Sequence, residues 1–248
     1  MKKWVQSDDG SYTAYSPEYD EHYHSTKDGA LNESLKKHIE PAFMLHKGKD
    51  HLRIIDICFG LAFNTLLTLY YRDTYCPDTT IEIYSPELDG ELVASLVEFP
   101  YPDIFEPYRN IITDITTLGG YEDERTQITV DIIDARMAMR ELEGEWDVCY
   151  QDAFSPQTNP LLWTKEYFGD ISRLMGGDSV VTTYSTALAT RLALYENGFN
   201  VYLNRGEGYR NATIASRREL IEYEKVDMEH KITCNPEAKS LRDKSLGL

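Results

Sequence analysis

Apolar residues in this chain fall into short dense runs separated by amphipathic stretches. Residues 52–58, 80–84, 127–133, 146–150 and 179–183 are rich in Ile, Val, Tyr and Thr. Such runs, bounded by turn formers, predict buried strands. Between them, residues 61–71, 87–97, 135–142, 163–174 and 186–196 space their apolar positions three or four apart, the period of a helix face. Five βα units in series predict an α/β fold with a doubly wound parallel sheet. Residues 200–203 and 212–215 predict a closing antiparallel hairpin, which brings the sheet to seven strands. Gly176-Gly177 reads as the C-cap of the preceding helix.

Residues 1–45 are polar and rich in tyrosine. They predict an N-terminal extension that packs on the core, with Leu31, Leu35, Ile39 and Phe43 on one face of a helix. The domain proper spans 46–225. Within it, 99–125 reads as an insertion, because Pro100, Pro102, Pro107, Gly119 and Gly120 interrupt the pattern; it supplies a helix or a lid. Residues 226–248 read as a charged, loose tail.

Composition narrows the class. With 248 residues and 42% hydrophobic content, the chain suits one α/β domain with additions. No apolar run reaches the roughly 18 residues of a membrane helix. The first residues hold two lysines but no apolar segment, so the expectation is no secretory signal, no membrane and a cytoplasmic protein. Cys58, Cys76, Cys149 and Cys234 form no CxxC pair and read as reduced thiols. The net charge of −17 opposes long-range attraction to polyphosphate unless basic residues cluster locally; its other reading is solubility alone.

The chemistry concentrates at the ends of the predicted strands, where open α/β sheets bind ligands. Gly60 follows the first strand and permits close approach of a cofactor, or is an ordinary βα turn. Glu87 follows the second, placed for ribose hydroxyls or as a first-turn acid of the next helix. Asp134 ends the third, placed for an adenine amino group or as an N-cap. Asp152 ends the fourth and leads into 152–163, DAFSPQTNPLLW, an aromatic and proline-rich loop. Phe154 and Trp163 read as walls for a target, with Trp163 equally readable as a core aromatic. Three acids at successive strand ends suit an adenosine-bearing ligand such as S-adenosylmethionine, and Asp152 suits an amine acceptor. His22 and His24 lack a third ligand at suitable spacing, so no metal is expected. No GxSxG or Walker motif occurs.

The run Asp152-Ala153-Phe154-Ser155-Pro156, with Asn159-Pro160 and Trp163, resembles the D-G-F-A-P-x-x-N-P-x-x-W signature of the methyltransferase part of the MnmC family. Phe59-Gly60-Leu61-Ala62-Phe63-Asn64 resembles the family's F-G-x-G-x-N turn. Tyr23-His24-Ser25 with Gly29-Ala30-Leu31-Asn32-Glu33-Ser34 is similar to its N-terminal element. The likeness spans about residues 20–217. It implies a class I methyltransferase fold, S-adenosylmethionine as cofactor and tRNA as partner. The implied reaction is N-methylation of 5-aminomethyl-(2-thio)uridine at the wobble position. The chain holds no second GxGxxG, so the expectation is a stand-alone methyltransferase without the family's FAD oxidase domain. By matched position, Glu33, Phe59, Gly60, Asn64, Glu87, Asp134, Ala135 and Asp152 hold the cofactor. Asp152 is the catalytic residue, and Phe154, Pro156, Asn159, Trp163 and Arg210 meet the substrate. Ala62 and Ala153 replace family glycines; Ala62 fits if its φ is negative. Arg205, Arg210, Arg217 and Arg218 are the cluster left for phosphate contacts, or a solvated edge. The competing readings are methyl or aminopropyl transfer to a small amine, and a binding protein without turnover.

Overall fold

A computed structural model of the chain describes residues 4–247. Two sheets are formed. The smaller holds β1 (Trp4–Gln6), β2 (Tyr12–Ser16) and β3 (Glu21–His22), all antiparallel. A long helix follows: α1 (Ala30–Ser34) and α2 (Glu40–Leu45) are joined without a break by a wider π turn at Leu35–Ile39.

The main sheet contains β4 (His51–Ile57), β5 (Thr80–Glu87), β6 (Gly120–Glu122), β7 (Thr126–Ile132), β8 (Trp146–Gln151), β9 (Met175–Thr183), β10 (Asn200–Asn204), β11 (Ala212–Ser216) and β12 (Glu224–Lys225). Its order is β12-β10-β11-β9-β8-β4-β5-β7-β6. The strands β9, β8, β4, β5 and β7 run parallel, and β11 closes antiparallel on β9. The seven expected strands are present. Two more, β6 and β12, extend the edges; both are too short to show a period of two in the sequence.

The helices are α3 (Phe63–Tyr75), α4 (Gly90–Ser95), α5 (Arg109–Leu118), α6 (Ala135–Glu141), α7 (Lys165–Leu174), α8 (Leu188–Glu196) and α9 (Met228–Cys234). They cover both faces of the sheet. Side chains alternate across a strand, so Leu52 and Ile54 of β4 join one core with Leu66 and Ile83, while Ile55 and Ile57 join the other with Cys149, Phe168 and Val181.

Two expectations need correction. Gly176-Gly177 do not cap a helix. α7 ends at Leu174 with Met175 already extended, and the glycines occupy a bulge where β9 slips register against β8 between Trp146 and Val148. Residues 99–125 hold α5, which lies in the β5-to-β7 connection, and β6, which pairs with β7. Gly120 is required there, since a Cβ would lie 2.4 Å from the Ile128 carbonyl oxygen. The C-terminal segment is not loose. Leu241 bridges Thr164, Arg136 pairs with Asp243, and Ser240 is buried against Glu196.

Candidate active site

Strand order reverses beside β4, and a ligand crevice forms at such a reversal. A cavity of about 940 Å³ opens there, lined in part by Glu33, Phe59, Gly60, Asn64, Ala135, Asn159 and Arg210. Glu87, Asp134 and Asp152 all face it. Three strand-end carboxylates thus converge on one cleft.

The turn after β4 is tightly wound. Cys58, Gly60 and Ala62 all have positive φ, at 66°, 53° and 64°. Ala62 therefore does not meet the condition of a negative φ under which an alanine fits freely. Left-handed backbone brings Cβ close to the following carbonyl and costs an alanine about 1–2 kcal/mol. A glycine there would avoid that cost. Ala62 is fully buried, so its methyl packs against the core and offsets part of the penalty. At Gly60 an added Cβ would sit 3.4 Å from the Tyr23 ring, on a backbone already left-handed. Burial pushes the Cys58 thiol well above its ordinary range, which keeps it protonated and non-nucleophilic.

Glu87 is the last residue of β5. Its carboxylate accepts from Gly60 N and Asp89 N, both at 2.9 Å. The first-turn role belongs instead to Asp89, which accepts from Leu92 N at 2.8 Å and caps α4. Burial raises the Glu87 carboxyl, and three backbone N–H groups oppose that rise. Asp134 serves as N-cap and also faces the cleft: Oδ1 accepts from Arg136 N and Met137 N.

Behind these lies a charged network. Asn64 Nδ2 donates to Asp152 Oδ2 at 3.0 Å and to Asp56 Oδ1 at 3.2 Å. Thr65 donates to Asp56 Oδ2 at 2.9 Å. Burial pushes the Asp56 carboxyl up to about 7, with the Asp152 charge adding to the rise. Burial also acts to raise Asp152, but His38 wins, aided by His24 and Asn64, and holds Asp152 below its ordinary value. His38 Nδ1 meets Thr182 Oγ1 at 2.7 Å, and Nε2 faces Asp152. The π turn brings Lys37 and His38, consecutive residues, both inward. Lys37 donates to Glu33 at 2.6 Å and to Asp28 at 3.2 Å, and Arg210 donates to the same Asp28 oxygen at 2.9 Å.

The N-terminal sheet roofs the cleft. Tyr19 stacks on Phe154 at 4.5 Å, and Tyr23 meets it edge-on at 4.9 Å. Glu21 accepts from Ser155 N at 3.0 Å and from Ser155 Oγ. Phe154 and Asn159 face the cavity; Pro156 does not. Trp163 does not wall the cleft either. It is fully buried, packs against Phe168 and Tyr184, and donates from Nε1 to Phe154 O at 2.8 Å. Its core reading holds, and it braces the loop from behind. His22 is exposed, while His24 is buried 3.9 Å from Glu33; both border the cavity.

The four arginines do not cluster. β10 and β11 pair Asn204 with Ala212 and Asn200 with Ser216, so Arg205 and Arg210 flank the hairpin turn while Arg217 and Arg218 follow its far end. Arg217 donates to Ser172, and Arg218 to Leu45 O. Five residues of strand, about 17 Å at 3.3–3.4 Å per residue, separate the two pairs. Only Arg210 reaches the cavity.

Sequence reasoning missed Glu21, Tyr19, His38 and Asp56. Of these, Asp56 alone left a local signal, an acid inside an otherwise apolar strand.

The sheet order and the cleft at its reversal are those of a class I S-adenosylmethionine-dependent methyltransferase, an enzyme whose cofactor is S-adenosylmethionine. Residues 105–219 match a family model described as S-adenosyl-L-methionine-dependent methyltransferase. The crystal structure of MnmC2 from Aquifex aeolicus matches with TM-score 0.88 and 31% identity, covering 100% of this chain and 81% of that one. The chain belongs to the MnmC2 methyltransferase family. An uncharacterized protein of Methanocaldococcus jannaschii is 27% identical across 98% of this chain and 68% of its own length. The tRNA 5-methylaminomethyl-2-thiouridine biosynthesis bifunctional protein MnmC of Paraburkholderia xenovorans is 24% identical over 83% of this chain, which spans 33% of that protein. No helix among the described residues is long and apolar enough to cross a membrane.

Proposed function

We propose that this enzyme methylates the amino nitrogen of 5-aminomethyl-(2-thio)uridine at the wobble position of tRNA. The observation that carries the reading is the place of Asp152 at the inner wall of the cleft, 3.5 Å from His38 and beside the aromatic loop. The name of the MnmC relatives supports the substrate class. Such a substrate sets the enzyme's work in the cytoplasm.

The residues fit the cofactor. The left-handed Gly60 turn lets backbone approach closely, and the Glu87 carboxylate, with lone pairs beyond those meeting Gly60 and Asp89, accepts ribose hydroxyls. Asp134 and Ala135 border the adenine, while Glu33, Phe59 and Asn64 line the remainder of the cofactor site. Bound S-adenosylmethionine supplies an electrophilic methyl group. The acceptor nitrogen must be neutral to attack; it would become cationic as its new N–C bond forms and the methyl–sulfur bond breaks, and would then release its proton to solvent. A carboxylate with a depressed pKa is a weak base. Asp152 therefore acts chiefly by orienting the amine and stabilising the charge that develops on nitrogen. Phe154 and Asn159 contact the base from the loop side of the cleft.

The test is nucleoside mass spectrometry of aminomethyl-uridine tRNA incubated with the purified protein and S-adenosylmethionine. One methyl increment on that nucleoside is expected. Cofactor binding with transfer only to free polyamines would overturn the tRNA reading.

A further inference from the structure

A second cavity lies beyond the cleft. It holds about 200 Å³ and is lined by Thr186, Leu188, Arg191, Val226, Lys231 and Asn235. In a chain of net charge −17, this lining has two cations and no carboxylate. Arg191 is distinctive among the described arginines. Every other one meets a carboxylate or a backbone carbonyl, whereas Arg191 bonds only Thr213 Oγ1, through Nε at 3.0 Å. Burial lowers its guanidinium and no neighbouring acid offsets that. A half-buried guanidinium without an acid is costly unless an anion visits it. Among the described residues Lys231 forms no ion pair. The pocket also borders the first turn of α8, whose N-cap Ala187 makes no side-chain capping bond and whose dipole favours an anion near that end.

We propose that the Arg191–Lys231 pocket binds a phosphodiester group of the RNA substrate. This rests on the tRNA reading above. Placement supports it: Tyr184 lines the main cleft, and Thr186, two residues on, lines this pocket. Their Cα atoms are at most about 7 Å apart. A strand whose base enters the cleft can lay a neighbouring phosphate here. The planar fork of Arg191 suits two phosphate oxygens, with Lys231 as a point charge.

The experiment measures filter binding of aminomethyl-uridine tRNA across a salt series for the wild type, Arg191→Gln, Lys231→Gln and Arg191→Lys. Lys231 is exposed, so its variant reports even if Arg191→Gln folds poorly. Each Gln variant is expected to weaken tRNA binding about 5- to 10-fold and to flatten the log–log salt slope by about 0.7, with S-adenosylmethionine affinity unchanged. Arg191→Lys should recover part of the loss. Wild-type and Gln variants with equal affinity and slope would overturn the pocket while leaving the tRNA reading intact. Absence of wild-type tRNA binding would overturn both. Competition by millimolar inorganic phosphate in the wild type but not in the double Gln variant would support the pocket as the phosphate site.

Discussion

His38 Nε2 lies 3.5 Å from Asp152 Oδ1, with both side chains buried beneath the cleft. His38 opposes the burial that would otherwise protonate this acid. His38→Gln should therefore raise the Asp152 pKa and shift the acidic limb of the pH–rate profile upward. Methyl transfer at neutral pH should fall by roughly 10²-fold while S-adenosylmethionine affinity stays within about twofold. An unchanged profile would make His38 a packing residue only.

Asp56 sets a pH dependence of stability. In the unfolded chain its carboxyl ionises near 3.8, and in the fold near 7. Between these values the folded chain holds the extra proton, so stability falls as pH rises through the window. The effect is on the order of 4 kcal/mol. Glu87, also raised, acts in the same sense, and His46, lowered by burial, in the opposite one. Asp152, being lowered, loses its contribution only as pH falls below the ordinary carboxylate range. Comparing Asp56→Asn with the wild type removes what the two share, and the Asp152 and Glu87 charges enter only through their coupling to Asp56. The variant's melting temperature, relative to the wild type, should climb between pH 4 and 8. A flat difference would sink the assignment.

Ala62 carries strain that a glycine would release. Ala62→Gly should be neutral to stabilising, by up to about 1 kcal/mol, since the lost methyl burial offsets part of the gain. Ala62→Val should cost about 3 kcal/mol or more, from a β-branched left-handed residue in a filled core. Urea denaturation orders the three; a Val variant as stable as the wild type would contradict the left-handed turn.

Glu21 fastens the loop to the roof. Glu21→Ala should speed hydrogen exchange at the Ser155 amide about tenfold, the loss of roughly 1.4 kcal/mol expected for a partly exposed charge-assisted bond. The Michaelis constant for the acceptor should rise more than that for the cofactor. Exchange at the wild-type rate would show that the stacking of Tyr19 on Phe154 alone holds the loop.

Much of this was legible in the sequence. The central strands announced themselves because runs such as 52–58 and 179–183 are β-branched and bounded by turn residues, and βα succession then brought Glu87, Asp134 and Asp152 to one end of the sheet. Other parts had a weak local signature or none. Tyr19 and Glu21 meet the loop only through long-range folding. His38 was hidden because the π turn changes helical phase. Asp56 looked like part of an apolar run, and its partners Asn64 and Thr65 become neighbours only after α3 packs. Trp163 was ambiguous because an aromatic flanking a pocket has the same local sequence whether it points in or out.

The widened turn at Leu35–Ile39 makes chain length, as well as residue identity, a constraint on this helix. Each residue of an α-helix advances about 100°. Deleting one codon within that segment would restore regular pitch and swing one side of the deletion away from its present azimuth. Lys37 and His38 would then no longer reach their buried acids together. Drift in this region is therefore expected to proceed by substitution, with insertions and deletions confined to the loops on either side.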